Sequence, residues 1–303
     1  MTNKEKYRQL CETEGARIPL FQQYWWMDTV CKDKLWDVLL EERNGRIVGA
    51  WPYLIGHRLG LRYILPPQLT PFSGPWVGNP DTSEILYALI SQLQRLHPNL
   101  FLQHFSPTVT DSRPFLQQGY RLAPRRTYRF NPIPEPDKLP TLAAKDRRRG
   151  TDAVKDAYKL DKAVGTAEFV DFHISYWERR SGKDLLSRDF MARVVQTALD
   201  RQQALLYGLR DYNNRLMAAR FVVYDSQCAH SLLSALHPDA LRNTMTVLTW
   251  HIITDLYSRT QIYDFEGSMD PGIAHFYRSF GSSETPYFEV SRCRPKLLKY
   301  LLR

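Results

Sequence analysis

The chain has 303 residues, with 41 Lys and Arg against 32 Asp and Glu, a net charge of +9, and 43% hydrophobic residues. At roughly 100–200 residues per domain this suggests two domains or one large one, and the composition excludes a largely disordered protein. No apolar run approaches the roughly 18 residues of a membrane span, and the start Met1-Thr2-Asn3-Lys4-Glu5-Lys6 leads into no secretory apolar segment. Cys11, Cys31, Cys228 and Cys293 are far apart, form no CxxC pair and suit a reducing cytoplasm.

In chain order, residues 34–42 read as a strand, and Arg43-Asn44-Gly45-Arg46 as a hairpin turn with positive φ at both central residues. Residues 46–55 form the return strand and 61–65 a third. A long Pro- and aromatic-rich loop follows over 66–79. Residues 82–97 have the apolar spacing of a helix. A strand (100–105), a short helix (112–118) stopped by Gly119, and a strand (120–130) complete the half. Residues 131–140, with Pro132, Pro134, Pro136 and Pro140, read as an extended connector and the domain boundary. Two units are therefore expected, 1–130 and 131–303.

Beyond the connector, a basic helix is expected over 138–160 and another helix over 190–199. The earlier order then returns: strand 204–210, turn 211–214, strands 215–224 and 228–236, loop 237–242, helix 243–257 and strand 261–266. A helix over 271–280 begins at Pro271 and stops at Gly281, and a last strand covers 286–292. Corresponding elements of the halves are about 160–170 residues apart. An internal repeat of that length predicts two copies of one α/β unit, each a mixed, mostly antiparallel sheet flanked by helices.

The positive charge is local. Arg121, Arg125, Arg126 and Arg129 form one cluster, Lys145, Arg147, Arg148 and Arg149 a second, and Arg292, Arg294, Lys296, Lys299 and Arg303 a third. Each is either a solvated face or part of a polyanion-binding surface. There is no GxxxxGK[ST], GxGxxG, GxSxG or HExxH, which argues against P-loop, dinucleotide, α/β-hydrolase and zincin chemistry. The eight histidines, His57, His104, His230 and His237 among them, have no metal-ligand spacing and read as packed or surface imidazoles; no metal is expected.

The most informative stretch is Tyr263-Asp264-Phe265-Glu266-Gly267-Ser268, followed by Phe276-Tyr277-Arg278-Ser279-Phe280-Gly281. Strand alternation puts Asp264 and Glu266 on one face, beside a glycine at a strand end where α/β folds place ligands. An amine with a pKa near 10 must lose a proton to attack an acyl carbon. Glu266 or Asp264 can take it; alternatively Asp264 caps the 271–280 helix or pairs with an arginine. These residues, with the basic helix Lys145-Asp146-Arg147-Arg148-Arg149, resemble the FemAB-type branch of the GNAT-like acyltransferases.

The resemblance implies two tandem GNAT-like units that transfer an acyl or aminoacyl group, from a CoA- or tRNA-type donor, to an amine on a peptide, sugar or envelope precursor. Neither a metal nor a covalent enzyme intermediate is needed. The donor would sit at the turn Arg242-Asn243-Thr244-Met245 and against Phe276, where a helix N-terminus attracts anions. In acetyl-CoA-using relatives this turn is Gly-rich; here it has no glycine, which argues against acyl-CoA and suits either a tRNA-type donor or a unit that has lost its donor. Asn243 has a plain N-cap as its alternative role. Trp25, Tyr53, Phe72 and Trp76 would wall an acceptor cleft between the units, or else are aromatic core. The rival reading is a non-catalytic RNA- or polyanion-binding protein that keeps the fold.

Overall fold

A computed structural model of the chain describes residues 1–32, 34–78, 82–181, 186–267 and 269–294. The last residue of the expected loop 66–79, and Ser268, Lys296, Lys299 and Arg303 named above, lie outside the described residues. The chain divides into two compact units, 1–126 with 286–303, and 127–285. No helix of the described residues is long and apolar enough to cross a membrane.

The first unit opens with helices α1 (Asn3–Glu14) and α2 (Tyr24–Val30), neither anticipated from periodicity. Strands β1 (Trp36–Arg43) and β2 (Arg46–Arg58) form the expected hairpin, with Asn44 and Gly45 both at positive φ. Then come β3 (Leu61–Ile64), β4 (Trp76–Val77) and α3 (Thr82–Arg95). Strand β5 (Leu100–His104), α4 (Arg113–Gln117) and β6 (Arg121–Phe130) follow. Antiparallel β1–β2–β3 continues to β5 through a parallel pairing, with α3 as the crossover. Isoleucines and leucines of α3, including Ile85, Leu89 and Leu93, pack with Trp51, Phe101, Phe105 and Phe115 as the core.

The second unit begins inside β6. The helix expected over 138–160 is broken into α5 (Leu139–Leu142) and α6 (Lys145–Asp152), and the chain then turns into β7 (Lys159–Asp161). The break has a local cause: Ala143 and Ala144 are extended, and residues 159–161 satisfy their backbone groups on a neighbouring strand instead of within a helix. Next are α7 (Thr166–Ser181), α8 (Arg188–Asp200), β8 (Ala204–Arg210), β9 (Leu216–Tyr224) and β10 (Cys228–Leu236). Helix α9 (Thr244–Leu256), β11 (Ile262–Asp264), α10 (Pro271–Arg278) and β12 (Ser283–Cys293) complete the chain. Antiparallel β7–β8–β9–β10 continues to β11 through a parallel pairing, with α9 as the crossover. The plan of the first unit is thus repeated.

The repeat has one feature that sequence order conceals. In the second unit the strand antiparallel to β11 is β6, from the end of the first half, with Phe130 opposite Tyr263 and Arg129 opposite Asp264. In the first unit the strand antiparallel to β5 is β12, from the end of the chain, with Glu289 opposite His104. Each sheet is closed by a strand from the other half of the sequence. The boundary therefore falls within β6 rather than in the proline-rich connector, and the last strand belongs to the first unit.

Candidate active site

The second unit has a built polar centre where β10 and β11 part. Parallel pairing joins only Cys228–Ile262, Ala229–Tyr263 and His230–Asp264. Strand β11 then stops, while β10 runs on to Leu236 against β9, with its register slipping between Ser231 and Leu233. A bulge at the point where a neighbour ends re-aims the strand and leaves backbone groups unpaired on that side. Alternation sorts the side chains: Tyr128, Ala229, Tyr263 and Phe265 join the core under α9 and α10. Thr127, Arg129, His230 and Asp264 share the opposite face.

Asp264 is fully buried and both of its oxygens accept hydrogen bonds from the protein. Arg129 Nε donates to its Oδ2 at 2.6 Å; Thr127 Oγ1 and, at 2.8 Å, the backbone N–H of Glu266 donate to Oδ1. Of the alternatives considered for Asp264, pairing with an arginine is the one observed. The cap of α10 is Asp270, whose Oδ1 accepts from Gly272 N and Ile273 N. Asp264 thereby fixes the backbone that carries Glu266.

Glu266 lies just beyond β11, not on the strand as the alternation predicts, with φ at +67°. The left-handed turn swings its carboxylate onto His230, with Oε1 3.0 Å from Nδ1. The side chain is 16% exposed, against 8% for His230. Burial pushes the Glu266 carboxyl up to about 7, with the Asp264 charge adding to the shift and the His230 bond opposing it. His230 is held well above its ordinary value: burial works against its charge, and Cys228 and Glu266 outweigh burial. The two groups therefore titrate as a coupled pair, with the Glu266 carboxyl brought close to neutrality. Sequence reading passed over His230; its i, i+2 alternation with Cys228 marked only a strand face.

Cys228, His230 and Asp264 bring potential ligand atoms within 4.8 Å of one another. Both Asp264 oxygens and His230 Nδ1 are already hydrogen-bonded within the protein.

At the other end of α9, Arg147 of α6 makes the decisive contacts. Its guanidinium donates to Asn243 Oδ1 at 2.9 Å, Thr246 Oγ1 at 3.1 Å and Ser279 Oγ at 2.9 Å, and lies 4.6 Å above the Phe276 ring. Asn243 precedes α9 with φ at +74° and does not cap it, correcting the N-cap reading: its carboxamide is taken by Arg147. Gly150 permits this approach, because a Cβ there would stand 2.1 Å from Asn243 Nδ2. Burial, and to a lesser degree the charge of Arg242, lower the Arg147 pKa. Arg242 is exposed; Thr244 is buried, its hydroxyl donating to Leu241 O; Met245 packs on the core. Lys145 and Arg149 are exposed and Arg148 is half-buried. In the first cluster, Arg125 pairs with Glu289 and Arg129 with Asp264. Those two arginines are therefore committed within the fold.

The four aromatics named for the acceptor all belong to the first unit. Tyr53 is in its core, Phe72 packs edge-on to Tyr287 at 5.1 Å, and Trp25 is half-buried with Nε1 donating to Gln23. Trp76 donates to Arg17 O and alone of the four lines a cleft of about 640 Å³ beside α1 and β2.

Comparison with known proteins bears on the fold. Residues 143–273 match the family of acetyltransferase (GNAT) domains. The matched residues lie within the second unit. FemX shares the fold at a TM-score of 0.73 and 12% identity, over 100% of this chain and 98% of that one. The C-terminal domain of a putative lysylphosphatidylglycerol synthetase from Agrobacterium fabrum gives 0.58 and 13%, over 91% and 93%. A tandem GNAT protein from the clavulanic acid biosynthesis pathway gives 0.55 and 10%, over 95% and 94%. No curated protein matches the chain. The fold is that of tandem GNAT-like units, as the FemAB-type resemblance implied.

Proposed function

We propose that the protein transfers an acyl or aminoacyl group from a CoA- or tRNA-type donor to an amine, with Glu266 as the general base. The observation that carries this reading is a carboxylate raised to about 7, 16% exposed, and held by Asp264 and His230 where two parallel strands separate. Glu266 accepts the proton of the attacking amine and is neutralised by it, with His230 holding the carboxyl in place; the amide bond forms as the donor's thioester or ester bond breaks and its thiol or hydroxyl leaves with a proton. The N-terminus of α9, with Arg242 and the Arg147–Asn243 pair, receives the anionic part of the donor. The rest of the catalytic effect is positioning. The GNAT-type match over residues 143–273 supports the reaction class, and the name of the lysylphosphatidylglycerol synthetase supports keeping an aminoacyl donor beside an acyl-CoA.

The test is a transfer assay with acetyl-CoA and with charged tRNA over a panel of amines. Glu266→Gln should lower kcat by about 10²–10⁴-fold. Arg242→Ala should raise the KM for the donor by about tenfold, the loss of one charge-assisted contact. Full activity in both variants would refute the assignment.

A further inference from the structure

The second unit buries two arginines in one sheet, and only one has a counter-charge. Arg129 is matched by Asp264. Arg220, in the middle of β9, is 3% exposed. Its Nε has no hydrogen-bond partner, and its Nη1 reaches only Tyr263 Oη, at a long 3.4 Å. Among the described residues no carboxylate pairs with it. A buried ion without a partner costs several kcal/mol, so it persists where something other than stability requires it.

Its position says what that is. Arg220 stands opposite Ser234 of β10, whereas Tyr263 stands opposite Ala229. The side chain therefore runs back along β10, on the α9 face, towards the place where β11 ends and Glu266 begins. Tyr277 lies close enough to feel the charges of Arg220, Tyr263 and Glu266 together. Trp250 on α9, whose ring packs on the same core, also has a buried indole N–H without a partner. One planar cation and two phenols meet in apolar surroundings on the α9 face of the sheet, across the strands from His230 and Asp264. That chemistry recognises a carboxylate, which a guanidinium grips through two parallel hydrogen bonds.

We propose that Arg220 is a substrate-specificity residue that binds a carboxylate carried by one of the reactants, either the far end of a dicarboxylic acyl group or the α-carboxylate of an amino-acid acceptor. The inference rests on the acyl-transfer reading for what the two reactants are. The partner's negative charge arrives with the substrate and neutralises the buried guanidinium, so an uncharged analogue leaves Arg220 unpaired and is rejected.

The experiment measures binding, not turnover, on the full chain. One arm compares succinyl-CoA with acetyl-CoA, and the other L-lysine with L-lysinamide. In one arm the wild type should prefer the carboxylate-bearing member by tenfold or more. Arg220→Gln and Arg220→Met should abolish that preference, and Arg220→Lys should keep part of it. Arg220→Met should also raise the thermal midpoint of the ligand-free protein, since it removes an unpaired buried charge. The arm that responds identifies the source of the carboxylate. No preference in either arm overturns the proposal, as does a preference that survives in Arg220→Gln or in Arg220→Met; should the latter not fold, an Arg220→Lys variant with no loss of preference does the same. A protein that discriminates carboxylates but transfers nothing removes the acyltransfer reading and leaves this one; active transfer without discrimination does the reverse.

Discussion

Asp264→Asn separates the roles of the two carboxylates. Asn keeps an oxygen for Thr127 and for the Glu266 N–H, so the left-handed turn survives. It also turns an N–H₂ group towards Arg129 Nε, which now donates at 2.6 Å to a carboxylate oxygen. Arg129 is 8% exposed and Asp264 is fully buried, so the variant strands a charge inside the sheet. Removing one partner of a buried pair costs about 3–5 kcal/mol. For a unit of this size that lowers the thermal midpoint by roughly 10 °C. The second consequence is electrostatic. The Asp264 charge helps to raise the Glu266 carboxyl, so its loss should move the acid limb of the pH–rate profile to lower pH while activity persists at permissive temperature. Denaturant unfolding and a pH–rate series measure the two effects. A variant within 1 kcal/mol of wild type, with an unmoved limb, would refute the account of Asp264 as the support on which Glu266 is set.

Two further outcomes follow from particular groups. Unfolded, Glu266 releases its proton near 4.5; folded, near 7, so the folded state binds it more tightly over that interval. Its contribution to stability is complete at low pH and falls by at most about 3 kcal/mol as pH rises from 4.5 to 7, the opposite of a salt-bridged carboxylate. Glu266→Gln should flatten that slope in pH-dependent denaturant melts, while catalysis in the wild type rises over the same range. Gly281→Ala should destabilise the second unit by about 1–3 kcal/mol, measured by thermal denaturation, because φ is +89° there and the new Cβ would stand 2.6 Å from Leu142 O.

Local chemistry was readable from the sequence. Asn44-Gly45 marked a hairpin because positive φ at two successive residues is cheap only for such pairs, and Pro271 and Gly281 bracketed α10 and its final turn for similar reasons. Strands β8 and β10 run over the residues expected, bounded by the turns that flank them. What escaped was non-local. Arg129 meets Asp264 across 135 positions and Arg147 meets Asn243 across 96, and no periodicity encodes either contact. The basic helix was overextended because charge spacing cannot reveal that residues 159–161 find a neighbouring strand. Glu266 was named from the chemistry of its strand end, but its histidine was hidden, since a turn at positive φ redirected the side chain that alternation would have aimed elsewhere.

The crossed allocation of β6 and β12 bears on how the polypeptide is made. While the ribosome is still translating, β5 has been synthesised nearly 200 residues before the strand that will cover it, from Glu289 to Cys293. Its edge stays open to other chains throughout that interval. A nonsense mutation between codons 267 and 283 would spare His230, Asp264 and Glu266 and still deprive β5 of the strand that covers it. Cutting the gene at the proline-rich connector would yield two fragments, each holding a strand that the other lacks. Co-expressed, they should recover by complementation what neither achieves alone.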